Sequence, residues 1–375
     1  MKFFCTKENL SKALALVIGV AGKNINLPIL GNVLIKATEQ KVEFMATNLE
    51  LAITSNLRAK VEVPGVFTVP ARTLNDFVNL LSEEKVELTL KDNELEVVCG
   101  RSSTKIKGAP ADEFPVVPVV GEGKGYLIEV EALKSGLGQV FQAASKNEIR
   151  PELAGVLFNF NDQPGVLTLA ATDSYRLAEK KVKVLQGEDK ARIIIPARTA
   201  QEMNHILIIS LSKGAESEKN IRLLVTENQI VLRCNDVELV SRLVDGQYPD
   251  YTQIIPTSFK TEADFSTNQI TKEIKAASLF TTTGVNAVSF EFDPTAGVIH
   301  LSSVSTQTGE YKSEVSADVK GEKNNTLLNH RYILDGLSNI NTENAVLKVI
   351  NADSPCVLAP KGDQSFVYIV MPIRQ

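Results

Sequence analysis

At 375 residues and a formal net charge of −5, the chain is too long for one growing hydrophobic core and implies two or three domains. A hydrophobic fraction of 43% and a charged fraction of 23% are ordinary for a globular protein, and no run of roughly 18 apolar residues could make a membrane helix. The acidic balance excludes a grip on nucleic acid through bulk positive charge, so any such contact must be local.

The chain opens with a short strand and then an amphipathic helix over Glu8–Val20. This start reads as a strand and helix of the fold rather than as a signal peptide, since polar residues between Thr6 and Lys12 separate its apolar parts and no small-residue cleavage site follows cleanly. Gly31-Asn32-Val33-Leu34-Ile35 starts a β-rich stretch, with strands over 41–46, 87–90 and 95–99. Within it a second helix begins at Val69-Pro70-Ala71-Arg72 and carries Leu74, Phe77, Val78 and Leu81 at helical intervals. Phe114-Pro115 closes this unit, and a glycine-rich linker follows over 119–124.

The same order then recurs twice. A helix over 130–145 aligns Val130, Leu133, Leu137, Phe141 and Ala144. Gly155-Val156-Leu157 opens strands, and Ile195-Pro196-Ala197-Arg198 starts a helix bearing Met203, Ile206 and Leu207. Strands over 221–225 and 230–234 lead to Tyr248-Pro249 and a linker over 249–257. The third unit has a helix over 268–280, Gly284-Val285-Asn286, and Leu328-Asn329-His330-Arg331 followed by Ile333, Leu334, Leu337 and Ile340. A strand over 346–350 and Met371-Pro372 complete it. These landmarks return every 123–134 residues, far beyond the 20–50 of solenoids, so they mark repeated domains. Two helices and about eight strands per unit, with the helices grouped on one side, make an α+β fold.

Chemistry is sparse. His205, His300 and His330 are the three histidines, and no HxH, HExxH or HxxxH pairing exists. Gly121-Glu122-Gly123-Lys124-Gly125 precedes no strand–helix turn and reads as linker, not as a phosphate loop. Asp173, with no second carboxylate near it in sequence, reads as a turn residue or the partner of Arg176. Cys5, Cys99, Cys234 and Cys356 lie far apart without a CxxC pair, which suits a reduced cytoplasm better than disulfides or zinc. No catalytic residue, metal site or cofactor site is read from the sequence.

Several stretches together resemble the β subunit, or sliding clamp, family of bacterial DNA polymerase III along the whole chain. They are Met1-Lys2-Phe3, Leu27-Pro28-Ile29-Leu30-Gly31-Asn32, Thr47-Asn48-Leu49-Glu50, Val69-Pro70-Ala71-Arg72, Ala111-Asp112-Glu113-Phe114-Pro115, and Arg150-Pro151-Glu152-Leu153. Further on come Ala171-Thr172-Asp173-Ser174-Tyr175-Arg176-Leu177, Leu243-Val244-Asp245-Gly246-Gln247-Tyr248-Pro249-Asp250-Tyr251 and Val370-Met371-Pro372-Ile373-Arg374. The resemblance implies three clamp domains, at 1–121, 122–253 and 254–375, each with two helices packed on antiparallel sheets. It implies a head-to-tail homodimer forming a six-domain ring on duplex DNA, non-catalytic and cytoplasmic. The implied partners are the polymerase III alpha subunit, the clamp loader and other proteins with clamp-binding motifs.

On that reading Arg72, Arg198 and Arg331 start the second helices, and Lys12, Lys134, Lys272 and Lys275 fall on the first ones, as cations able to meet phosphates. The bland alternative is that Arg72/Asp76, Arg198/Glu202 and Arg331/Asp335 are helix ion pairs spaced i,i+4. By resemblance, Lys23, Asn24, Lys146 and Arg150 lie in loops that touch DNA. A partner-peptide pocket is implied at Leu153, Thr172, Ser174, Tyr175, Arg176, Leu177, Pro249, Gln253, Ile254, Pro355, Val370, Met371, Pro372, Ile373 and Arg374. The alternative for Leu177 and Val370 is plain core. The dimer seam is implied at Arg101, Thr104 and Ile106 against Leu279 and Phe280. A rival reading is a peptide-binding scaffold that has lost its DNA role.

Overall fold

The structure, a computed structural model, describes residues 1–22, 26–117, 120–147, 149–211 and 218–374. Six α-helices stand among the described residues: α1 (Lys7–Ile18), α2 (Ala71–Leu80), α3 (Val130–Val140), α4 (Ala197–Leu211), α5 (Thr267–Ser278) and α6 (His330–Ser338). Each odd-numbered helix follows a short strand, namely Lys2–Thr6, Lys124–Glu129 and Thr261–Ser266. Each even-numbered helix follows Gly65–Pro70, Ala191–Pro196 or Asn324–Asn329. The threefold order of elements expected from the sequence is therefore observed.

Local signals explain the helix starts. The Thr6 hydroxyl accepts from the Asn9 amide at 3.2 Å, Ser266 does the same for Gln269, and the Asn329 side chain accepts from the Arg331 amide at 3.0 Å. Each satisfies an amide that the first turn leaves without a partner. α1 buries Leu10, Ala13, Leu14, Leu16 and Val17, and it packs on α2, whose Leu74 and Val78 are fully buried. Burial of this kind contributes about 1.5–3 kcal/mol per side chain. Two boundaries differ from expectation. α3 stops at Val140 and tightens into a 3₁₀ turn over Phe141–Ala143, after two glycines that weaken its helical preference. The strand expected after Gly284 begins at Ala287, because Gly284 (φ 93°) and Asn286 (φ 54°) form a turn.

The chain forms two compact units. The first comprises Met1–Lys134, Lys183–Ala191 and Arg198–Leu243, and the second comprises Ser135–Val182, Arg192–Ala197 and Val244–Gln375. In the first, one sheet runs Lys60–Val63, Lys2–Thr6, Lys85–Lys91, Glu94–Cys99 and Ser102–Lys107. The other runs Gly65–Pro70, Asn32–Ala37, Val42–Thr47 and Leu51–Leu57. It continues without a break into Val237–Arg242, Gln229–Cys234, Asn220–Val225 and Lys124–Glu129. Strands of the first and second repeats thus share one antiparallel sheet, with Ser241 opposite Leu51 and Val237 opposite Ser55.

The second unit repeats the device. Residues 176–180 pair with Phe366–Val370, placing Arg176 opposite Val370, and the sheet extends through Cys356–Pro360, Asn344–Val349 and Thr261–Ser266. Its remaining sheet holds Asn324–Asn329, Ala287–Asp293, Val298–Ser305 and the first half of Gly309–Gly321. Buried and accessible residues alternate along Ala287–Asp293, as a sheet with one covered face requires.

Candidate functional site

The corner between Val166–Thr172 and the strand beginning at Arg176 anchors the expected peptide site. Thr172 Oγ1 donates to the Arg176 carbonyl at 2.6 Å and accepts from the Ser174 amide, while Ser174 takes φ 76°. Asp173 caps the turn, accepting from the Tyr175 and Arg176 amides at 3.0 Å each. It also accepts from Arg176 Nε at 3.0 Å, so both readings of Asp173 hold at once. The Met371 amide donates to the Tyr175 carbonyl at 2.8 Å, which fastens the C-terminal segment to this corner. Leu177 joins Leu157, Tyr248, Tyr251 and Ile369 in one apolar cluster, drawing the 248–254 segment to the same place.

Within the second unit, residues 172–177, 248–251 and 369–371 therefore come together. Leu177 (3% exposed) and Val370 (0%) are buried, as the plain-core alternative has them. Leu153 and Thr172 are buried as well. The surface left for a ligand is made by Tyr175 (62% exposed), Ser174, Gln253, Ile254 and Arg374, with Pro249, Pro355, Met371, Pro372 and Ile373 partly covered.

Sequence reasoning missed what holds the corner in place. Arg176, 6% exposed, sends Nη1 to Asp335 of α6 and Nη2 to the Gln142 carbonyl at 2.7 Å, and it stacks over the Tyr332 ring at 4.8 Å. Burial disfavours its charge, but the Tyr368 hydroxyl, Asp335 and Asp173 outweigh that and raise its pKa above the usual value. The Tyr368 hydroxyl donates to the Tyr332 carbonyl at 3.0 Å. No local pattern predicts a pair between residues 176 and 335.

This overturns one sequence expectation, since Asp335 serves Arg176 and not Arg331. The pairing of Arg198 with Glu202 also fails: Arg198 Nη2 donates to the Gly19 carbonyl at 2.9 Å, where a cation offsets the negative end of α1. Glu202 instead packs against Gly19, with His205 Nδ1 at 3.9 Å. Among the described residues Arg72 and Arg331 make no ion pair, and both are exposed, as are Lys272, Lys275 and Lys146. Lys134 pairs with Glu131 at 2.5 Å and Arg150 with Glu152 at 3.0 Å. Lys12 is half-buried and lines a cavity of about 260 Å³ with Asn9, Arg58 and Asn235. Lys23 and Asn24 lie outside the described residues.

At the expected seam, Arg101 is exposed, Thr104 half-buried and Ile106 buried. Leu279 is 69% exposed, and Phe280 stacks on Tyr311 with ring centroids 5.9 Å apart. Burial pushes the Cys5 thiol up to about 12 and that of Cys356 to about 11, so neither is a ready nucleophile at neutral pH. Among the described residues no His, Cys, Asp and Glu side chains group as metal ligands, and no helix is long and apolar enough to cross a membrane.

Repeated α+β modules joined through shared sheets, with exposed cations on helices and a convergent corner, define a multidomain clamp-type binding protein. Three family profiles match in order: the DNA polymerase III beta subunit N-terminal domain over residues 1–118, its central domain over 127–250, and its C-terminal domain over 252–374. The beta sliding clamp of Synechococcus elongatus is 30% identical over 380 residues, spanning 100% of this chain and 99% of that one. That of Bacillus subtilis is 29% identical with both chains fully covered. The DNA polymerase III beta subunit of Thermotoga maritima superposes with a TM-score of 0.92 at 28% identity, covering 100% of this chain and 99% of that one. The Bacillus subtilis sliding clamp gives 0.89 at 28% identity over the same shares. The chain belongs to the DNA polymerase III beta subunit family. It works as a sliding clamp, a processivity subunit and not a catalytic one.

Proposed function

We propose that two copies of this chain close head to tail into a six-domain ring around duplex DNA in the cytoplasm. The ring tethers the polymerase III alpha subunit, the clamp loader and other motif-bearing proteins. The three domains are taken as 1–121, 122–253 and 254–375, which the spans of the three family profiles support.

One observation carries the ring. Inside the chain, consecutive repeats are joined by antiparallel pairing of equivalent strands, 51–55 with 237–241 and 176–180 with 366–370. The third equivalent pair is Ser102–Lys107 and the first half of Gly309–Gly321, and each has one edge unpaired among the described residues. An open edge of this kind is a template for another chain, and a heterologous contact forms a closed ring when its rotation closes. Arg101, Thr104 and Ile106 of one copy then meet Leu279 and Phe280 of the next.

Lys12, Lys23, Asn24, Arg72, Lys134, Lys146, Arg150, Arg198, Lys272, Lys275 and Arg331 are assigned to the DNA-facing surface. Arg72, Lys272, Lys275 and Arg331, exposed and without an ion pair among the described residues, are its strongest members. Few free cations suit a ring held by topology, since binding that rests on many phosphate contacts is tight only at low salt. The partner peptide is assigned to the corner at Tyr175, Ile254 and Met371, a flexible thioether among apolar groups. The test is to load the protein with a clamp loader on nicked circular DNA and then linearise it. Release on linearisation is expected, and retention on the open duplex would overturn the ring.

A further inference from the structure

The two internal junctions share one register, so they can be compared position by position. Thr47 Oγ1 donates to the Leu51 carbonyl and accepts from the Leu49 amide, as Thr172 does with Arg176 and Ser174; Leu49 has φ 79° and Ser174 φ 76°. Leu51 and Arg176 are therefore equivalent, and each begins a paired run. One goes from Leu51 opposite Ser241 to Ser55 opposite Val237, the other from Arg176 opposite Val370 to Lys180 opposite Phe366. The next amide closes both runs alike, Asn56 on the Asp236 carbonyl and Lys181 on the Ser365 carbonyl, each at 2.8 Å. Ser55 thus holds in the first unit the place that Lys180 holds in the second.

The two places differ in chemistry. Lys180 Nζ donates to Asp363 at 3.1 Å and to Ser365 Oγ at 2.6 Å, so a cation and an acid answer each other there. In the first unit the short Ser55 side chain stands in the wall of the 260 Å³ cavity instead, together with Lys12 of α1 and Arg58. Lys12 is half-buried and Arg58 exposed, and among the described residues neither side chain makes a hydrogen bond or an ion pair. Ser55 is 1% exposed, and its hydroxyl also lacks a hydrogen-bond partner among the described residues. Asn9, Asn56 and Asn235 add side-chain amides to the same wall. Two acids are near: Asp236, exposed and part of the wall, and Glu218, whose carboxylate accepts from the Asn235 amide at 3.3 Å.

We infer that this cavity binds a small oxyanion of the phosphate class, held by Lys12 and Arg58, with the Ser55 hydroxyl donating from the wall. Buried polar groups are normally hydrogen-bonded, because an unmet one loses its water without recompense. A phosphate oxygen supplies the acceptor that Ser55 lacks and the negative charge that the two cations lack, and hydrogen bonds from charged donors are the strong ones. The volume lies just below the range of about 300–1,000 Å³ usual for organic ligands, which suits a tetrahedral anion with a few waters. The second unit does not offer the same chemistry, since the Lys180 ammonium already has Asp363. Asp236 opposes an anion by like charge, so it lowers the affinity without removing the donors.

The experiment is isothermal titration calorimetry of the full chain with inorganic phosphate, in a phosphate-free buffer at about 0.05 M salt to limit screening. A dissociation constant of about 1 mM is expected from two charge-assisted contacts. K12Q and R58Q should each weaken binding about tenfold and S55A about threefold, whereas D236N should tighten it about threefold. Absence of binding up to about 20 mM phosphate, or an affinity that K12Q and R58Q leave unchanged, overturns the site. Displacement of phosphate by a short DNA duplex would assign Lys12 and Arg58 to the DNA backbone and overturn a separate small-ligand site as well. Arg58 and Asp236 are exposed, so R58Q and D236N keep the test decisive even where a change at buried Ser55 perturbs the fold. Far-UV circular dichroism of each variant checks that point.

Discussion

Replacing Arg176 by Met keeps most of the buried volume and removes every polar contact the guanidinium makes. Asp173 loses its counter-charge but keeps two backbone amides, the Gln142 carbonyl loses its donor, and the Tyr332 ring loses its cation. Breaking a buried pair from one side costs about 3–5 kcal/mol, and the surviving amide bonds place Asp173 at the low end. A partly desolvated cation–π contact adds about 0.5–1 kcal/mol. Asp335 is open to water on its outer side, so its own pair is worth about 1 kcal/mol or less. The total is about 3.5–5 kcal/mol. It should appear as amide exchange about three orders of magnitude faster in Phe366–Val370, the strand paired with residue 176, when followed by mass spectrometry. D335N should speed exchange in that strand in the wild-type background and do nothing further in the R176M background, because the two share one interaction. Exchange in that strand within threefold of wild type, or an equal effect of D335N in both backgrounds, would refute the hub.

Two other outcomes follow from single sites. Gly155→Ala should cost about 1–3 kcal/mol in urea unfolding, because an added Cβ would stand 2.8 Å from the Ile195 carbonyl oxygen and closer still to Ile194; an unchanged midpoint would show that the strands can part there. His330 is buried with Nδ1 lacking a partner, and burial first, then Arg331, hold its pKa below the usual 6.5. The folded state thus prefers the neutral ring, and the unfolded chain takes the proton first as pH falls. Its contribution is fully present above about pH 6.5 and lost on acidification towards the lower folded value. The urea midpoint should fall from pH 7.5 to 5.5 and fall less in H330Q; equal slopes would remove His330 from the account.

The threefold order of elements was legible because it rests on local physics. Apolar residues at helical spacing in α2 and α6, side-chain caps at Thr6, Ser266 and Asn329, and alternation along Ala287–Asp293 each depend on neighbours within a few residues. The same locality explains the failures. Arg198 and Glu202 have ideal spacing for a helix pair, yet a carbonyl 179 residues away is the better acceptor for a side chain at the start of a docked helix. Leu177 and Val370 looked like groove and core alike, because a sequence cannot say how many sides of a strand are covered. Glycines at corresponding positions also differ: Gly155 avoids a clash, while Gly284 takes a left-handed turn.

The sequence by itself determined three copies of one α+β domain, an absence of recognisable catalytic grouping, and a shortage of net positive charge. Only the tertiary structure decided that Asp335 answers Arg176, that repeats join edge to edge in one register, and which strand edges remain open. The division is one of range. Helical and strand periodicity are set by contacts a few residues apart, whereas hydrogen-bond partners across a sheet and counter-charges in a core are chosen by proximity in space, which chain spacing does not encode.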